Sequence, residues 1–169
     1  MTVIVETERL LLREIVAEDA PLLYELNSDP EVVRYTGDPP FESPEAAAEF
    51  TRNYIAKNSG TGYGRWAVIQ KESGEFLGWC GLKILEETGE VDLGYRFYRK
   101  HWGKGYATES ALAVLKYGFG KLKLEKIIGR SRVENLPSIH VLEKCGMTFE
   151  KYFTDHDGEC LTMAIYAGR

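Results

Sequence analysis

Gly103-Lys104-Gly105 lies where a strand-like stretch gives way to a helix-like one, and the chemistry it offers is the holding of a phosphate or pyrophosphate. Upstream, Val91, Leu93, Tyr95 and Phe97 alternate with Asp92, Gly94 and Arg96, the period of a strand. Downstream, Tyr106 begins a run with helical spacing. Glycine at both positions removes the Cβ atoms that would keep a ligand off the backbone. The first turn of the helix leaves its N–H groups unpaired and carries the positive end of the helix dipole. Two better-known glycine loops are excluded. A Walker-type loop needs glycine where Tyr98 stands and Ser or Thr where Gly105 stands. A dinucleotide fingerprint needs a third glycine where Thr108 stands and belongs in an early βαβ unit, although Glu125 lies near the spacing of its ribose-binding acid. A lone G-x-G also fits an ordinary helix start, so its neighbours decide.

Further along, Glu134-Asn135-Leu136-Pro137-Ser138 opens a helix whose end reads Leu142-Glu-Lys-Cys-Gly-Met147. Together with Lys100, Gly103 and Gly105, which meet a Q/R-x-x-G-x-G/A pattern except for the lysine, this resembles the GCN5-related N-acetyltransferases (GNAT). The order of elements resembles that family over nearly the whole chain, and the wording Trp102-Gly-Lys-Gly-Tyr-Ala-Thr-Glu109 is similar to its RimJ/RimL branch, which acetylates protein N-termini and other amines. The resemblance implies acetyl-CoA as co-substrate, bound where two parallel strands splay apart. It implies pantetheine contacts from the backbone of Leu93, Gly94 and Tyr95 and from the side chain of Asn135. It places the pyrophosphate on the amides of Trp102, Gly103, Lys104, Gly105, Tyr106, Ala107 and Thr108. Read as residues alone, Asn135 is equally a helix cap, Lys104 a phosphate charge or a solvated lysine, and Trp102 a packing residue rather than an adenine platform.

Acetyl transfer to nitrogen needs the amine neutral, whereas a lysine-type amine has a pKa of about 10.4 and an α-amine about 8. A base is therefore useful, as are donors for the oxyanion and a proton for the leaving thiolate. By resemblance the oxyanion donors are N–H groups of the central strand. Many GNAT enzymes protonate the thiolate with a tyrosine four residues before the closing glycine of the second-motif helix; here Leu142 stands there. Ser138 is the expected substitute, and a serine at a helix start is also ordinary capping chemistry. Glu90 and Asp92 share a strand face near the acetyl carbonyl, and Asp92 is the expected base, or else a salt-bridged strand carboxylate. A water chain with no dedicated side chain is the other route. His101 and His140 are isolated histidines, and no His/Cys cluster has metal-ligand spacing, so no metal is expected.

The elements that must position these residues follow from periodicity and turn residues. Glu8–Ile15 reads as a strand, Asp19–Asn27 as a helix with a short turn after it, and Ser43-Pro44-Glu45 as the capped start of a helix reaching Lys57. A glycine-rich stretch leads to a hairpin of Arg65–Lys71 and Phe76–Leu85, then the central strand. The helix Tyr106–Leu122 puts Ala107, Ala111, Val114 or Leu115, Phe119 and Leu122 on one stripe. The strand Lys126–Arg132 follows it, parallel to the central strand through a right-handed crossover. The helix Leu136–Cys145 ends at Gly146, and Met147–Phe153 and Glu159–Ala167 close a hairpin through Asp157-Gly158. The fold class is α/β: a mixed, mostly antiparallel sheet of six to seven strands, helices on both faces, and one splayed parallel pair.

Composition narrows the setting. The 169 residues suffice for one domain with one core, and 44% hydrophobic with 12% aromatic content belongs to a folded protein. A net charge of −5 does not favour nucleic acid, and no window has the length of a membrane span. Cys80, Cys145 and Cys160 are an odd number without paired spacing, which suits packing residues in a reducing, cytoplasmic setting. The expectation is an acetyl-CoA-dependent N-acetyltransferase, monomer or homodimer, whose acceptor is a peptide N-terminus or small-molecule amine bound over Tyr35–Phe41 and Gly60–Gly64. The competing readings are a CoA-binding sensor without turnover and a nucleotide-binding βαβ protein.

Overall fold

A computed structural model describes residues 2–168. Its sheet has eight strands in the order β1-β2-β3-β4-β5-β6-β8-β7. In chain order these are β1 (Val3–Glu6), β2 (Leu10–Arg13), β3 (Gly64–Gln70), β4 (Phe76–Ile84), β5 (Val91–Phe97), β6 (Lys126–Arg132), β7 (Thr148–Asp155) and β8 (Gly158–Tyr166). Five helices interleave with them: α1 (Ala20–Ser28), α2 (Pro30–Val33), α3 (Pro44–Asn58), α4 (Tyr106–Gly120) and α5 (Leu136–Lys144). The sheet exceeds the expected six to seven strands because Val3–Glu6 pairs antiparallel with β2. That four-residue edge strand is exposed at both ends, so it lacks the buried alternation by which strands are read.

Every neighbouring pair is antiparallel except β5 and β6. The crossover between those two is α4, whose Ala111, Val114 and Leu115 are buried against the sheet with Leu82, Leu93 and Ile127. Burying a Val or Leu side chain stabilises by about 1.5–3 kcal/mol, so this stripe holds the helix in place. Gly118 completes the fit, because a Cβ there would lie 2.7 Å from Ile127 Cδ1. On the other face, Ile15, Leu23, Ala67 and Phe76 form a second cluster under α1 and α3. Asp19, buried ahead of α1, accepts two bonds from the Arg13 guanidinium at 2.7 and 2.9 Å and so fastens that layer to β2.

Candidate active site

The central parallel pair is open for most of its length. β5 pairs with β4 from Val91 to Phe97 and β6 pairs with β8 from Lys126 to Arg132. Between β5 and β6 only Asp92 with Ile128 and Leu93 with Gly129 are in register. Beyond Leu93 the strands diverge, and β5 turns main-chain groups from Gly94 onward toward a gap instead of a partner. α4 starts at one end of this gap. Gly103 and Gly105 have φ of +76° and +82°, the left-handed region in which a side chain is strained, and a Cβ on Gly103 would meet nothing within 4 Å. Gly105 is the N-cap and supplies no side-chain bond. The amides of Gly103, Lys104, Gly105, Tyr106, Ala107 and Thr108 donate to no acceptor among the described residues; pairing resumes with Glu109, whose amide donates to Gly105 O. Six consecutive free donors at a helix start fit an anion with several oxygens.

Side chains from elsewhere in the chain stiffen this loop. Arg9 donates through Nη1 to Lys104 O at 3.0 Å and through Nε to Glu109 Oε1 at 2.7 Å, and its guanidinium lies over the Tyr106 ring. Thr7 donates to the other oxygen of Glu109. Burial pushes the Glu109 carboxyl upward, and the bonds from Thr7 and Arg9 outweigh it, leaving the group below the ordinary glutamate range. Lys104 makes no side-chain bond to protein among the described residues, and Lys100 pairs with Glu75 at 2.9 Å. His101 is buried, which pulls its pKa down against the pull of Glu75, whose Oε1 lies 3.5 Å from its Nε2. Trp102, expected to pack and to lend its amide to the pyrophosphate, is 48% exposed; its indole N–H donates to Phe97 O and its amide donates to Arg99 O at 3.1 Å, so that amide is not free for an anion.

The sequence profile of the acetyltransferase (GNAT) domain matches residues 9–148. This chain belongs to the GNAT acetyltransferase family. It is 35% identical over 152 residues to the uncharacterized N-acetyltransferase p20 of Bacillus licheniformis, covering 89% of this chain and 85% of that protein. It is 32% identical over 161 residues to the FsC-acetyl coenzyme A-N(2)-transacetylase of Aspergillus fumigatus, covering 89% of this chain and 68% of the relative. A solved structure of a GNAT-family acetyltransferase from Bacillus anthracis superposes with a TM-score of 0.84 at 32% identity, over 98% of both chains.

In this GNAT chain, Asn135 caps α5, its side chain accepting from the Ser138 amide at 3.4 Å. Ser138 meets Tyr95 of β5: the phenol donates to Ser138 O at 3.0 Å, and Oη and Oγ lie 3.0 Å apart. Burial pushes the Tyr95 phenol well above its ordinary value, so it keeps its proton. Sequence reasoning assigned Tyr95 only a backbone role and missed this partnership between the open part of β5 and the first turn of α5. Leu142, where many GNAT enzymes place tyrosine, is buried against Gly129, whose Cβ would lie 2.7 Å from Leu142 Cδ2.

Asp92 lies on the sheet face opposite Leu93 and Tyr95, at the last paired rungs. It is 4% exposed and accepts from Arg65 Nη2 at 3.0 Å and Arg130 Nε at 3.2 Å. Arg65 of β3 crosses β4 to reach it on β5, donating also to Gly81 O and Asp92 O. Gly94 permits that path, since a Cβ there would sit 2.7 Å from the Arg65 guanidinium carbon. Neither Arg65 nor Arg130 is picked out by a sequence motif; the one signal was Gly94 inside a strand pattern, a mark of something passing close. Glu90, the other acid considered, pairs with Lys126 at 3.0 Å, and Lys126 also binds Glu150. Among the described residues no group of three or more His, Cys, Asp or Glu is placed to hold a metal, and no helix is long and apolar enough to cross a membrane.

Proposed function

We propose that this GNAT chain transfers the acetyl group of acetyl-CoA directly to a primary amine, a peptide N-terminus or a small molecule. The carrying observation is the run of six unpaired amides, Gly103–Thr108, beside a β5–β6 gap closed by only two rungs. The pyrophosphate rests on those amides, and the pantetheine arm lies in the gap against Leu93, Gly94 and Tyr95, with Asn135 at its far side. Trp102 lies open beside the loop, and Lys104 adds a point charge to the phosphates. Acetyl-CoA supplies an activated acyl carbon. The amine nitrogen bonds to it, the C–S bond breaks, the amine loses a proton and the thiolate gains one. N–H groups of β5 facing the gap take the developing oxyanion.

Ser138 is the proposed donor to the thiolate. With the phenol proton of Tyr95 directed at Ser138 O, the serine hydroxyl is at liberty to point its own proton into the gap. Asp92 as base carries a geometric cost: both oxygens already accept guanidinium bonds, and one must be released before a proton is taken. Loss of the amine proton to water is the reading this geometry favours, with Asp92 holding Arg65 and Arg130 in place. A covalent acyl-cysteine is disfavoured because burial raises Cys80 to about 12 and Cys145 and Cys160 to about 11, so all three stay thiols at neutral pH. Placement beside the RimJ/RimL branch rests on the wording of Trp102–Glu109 and on Ser138. A cytoplasmic setting is supported by the three buried, unpaired cysteines.

The test is thiol release from acetyl-CoA across a panel of amines. Acceptor-dependent release that falls in Ser138→Ala supports the proposal. Tight acetyl-CoA binding with no release from any amine would instead make the chain a CoA sensor.

A further inference from the structure

The transferase reading leaves the face of the sheet opposite α4 unexplained, and that face carries unusual charge at the mouth of the gap. Arg65, Arg96 and Arg130 project from β3, β5 and β6 on this side, around Trp79 of β4, whose ring lies 5.3 and 5.2 Å from the Arg65 and Arg96 guanidiniums. Arg96 is matched: Nη1 and Nη2 donate to Asn27 Oδ1 and Asp38 Oδ2, although its Nε is buried without a partner. Arg65 and Arg130 share one carboxylate, Asp92. In the segments after α1, Asp29 pairs with Arg99 and Asp38 with Arg96. Lys83, in register with Asp92 on β4, is exposed and adds charge of the same sign. Lys126 with Glu90 and Glu150 lies behind Asp92, toward the closed end of the strand pair. Arg132, next along this face of β6, pairs with Glu134 and Asp155 at 3.6 and 3.9 Å, which leaves one guanidinium at the open end without a carboxylate of its own.

Arg130 is that guanidinium. It stands one residue past Gly129, the last residue of β6 in register with β5, so it borders the gap where the acyl carbon must lie. Its single protein bond runs from Nε to Asp92, its side chain is 40% exposed, and Nη1 and Nη2 have no partner among the described residues. Asp92 thus fixes one edge of the planar group and leaves two parallel donors facing outward, the fork that a carboxylate or phosphate accepts with two oxygens.

We infer that the acceptor is a primary amine carrying an oxyanion beside the nitrogen, a carboxylate as in a free α-amino acid, and that Arg130 is the residue that reads it. The inference rests on the transferase reading and narrows it: a polyamine has no group for Arg130 and brings like charge to it, and an amide in place of the acid leaves the fork half-used.

The experiment is acetyl-CoA-dependent thiol release by the full chain with phenylalanine, phenylalaninamide, phenethylamine, 2-aminoethyl phosphate and spermidine, each with wild type, Arg130→Gln and Arg130→Lys. Two charge-assisted bonds should favour the acid over its amide by about 10- to 100-fold in kcat/KM. Arg130→Gln should bring that ratio toward unity, with the loss falling in KM. Arg130→Lys should recover only part of it, since lysine offers a point charge without the fork. If the aminoalkyl phosphate outruns the amino acid and shows the same Arg130 dependence, the oxyanion is confirmed and its class becomes phosphate. Equal or better turnover of the amide, phenethylamine or spermidine in wild type, or an acid preference that survives Arg130→Gln, overturns the inference while leaving the transferase reading intact. No release from any amine, with acetyl-CoA still bound, removes both.

Discussion

On the α4 side of the β5–β6 gap the groups on offer are main-chain amides, Gly103 to Thr108, free of protein partners among the described residues. On the opposite face they are side chains, Arg65, Asp92 and Arg130, bonded chiefly to one another. On the proposed reading the first arrangement holds the coenzyme, and backbone donors serve for that whatever side chains surround them. The second is a set of charges whose sum and direction depend on each residue. On the proposed reading, cofactor recognition is carried by conformation and acceptor recognition by composition. Damage to the two sides should be read out differently.

The largest effect is expected on the side-chain face. Asp92→Asn strands two guanidiniums that share one buried carboxylate, and breaking such a pair costs about 3–5 kcal/mol. Chemical denaturation should show it as a lowered midpoint. If Asp92 were the base, the low-pH limb of kcat/KM would also change; with water taking the amine proton, that limb keeps its shape.

Gly105→Val should act the opposite way, with the fold kept and the binding lost. A β-branched residue at a φ of +82° must shift the backbone, and its Cβ would sit 3.3 Å from Arg9 Nη2. Calorimetry should show acetyl-CoA affinity reduced by about 100-fold or more, the worth of one or two charge-assisted bonds to main-chain amides, while the denaturation midpoint moves much less than in Asp92→Asn.

Ser138→Ala joins neither side and should lower kcat by about 10- to 100-fold with little change in acetyl-CoA affinity, the usual scale for a proton donor. Tyr95→Phe should lower it less, because on the proposed reading the phenol orients the serine, to whose O it donates, and leaves the proton transfer to it. A larger loss in Tyr95→Phe would reverse the two roles.

The smallest effect belongs to the brace behind the loop. Glu109 is held below its ordinary pKa in the folded chain, so its contribution to stability is complete above the unfolded value near 4.3. It is lost as pH falls through the lower folded value. Arg9 is 41% exposed, which keeps the contribution to no more than about 1 kcal/mol. Glu109→Gln should therefore weaken acetyl-CoA binding severalfold at neutral pH and flatten the acid side of the stability profile.

The same division governs how much could be read from the chain alone. The glycine loop was legible because its requirements are local: two glycines, a strand before and a helix after. The parallel pair and its crossover helix followed from periodicity, as did the closing hairpin. β1 escaped because an exposed edge strand has no buried face to impose a pattern. Arg9, in the bend before β2, meets Lys104 and Glu109, and Arg65 and Arg130 meet Asp92, across positions remote in sequence, so no spacing rule brings them together. Asp92 was placed on the right strand position, but its two partners, which limit what chemistry it can do, could be seen only in the folded sheet. Ser138 was singled out by motif, and its bond to Tyr95 was not.

Amide hydrogen exchange, residue by residue from Gly103 to Thr108, with and without coenzyme A, bears most directly on whether main-chain donors hold the diphosphate. These amides should exchange fast in the free protein and slow by at least about tenfold when coenzyme A is added, with Gly105→Val abolishing the change. Protection that appears elsewhere while this loop stays as fast as before would contradict it.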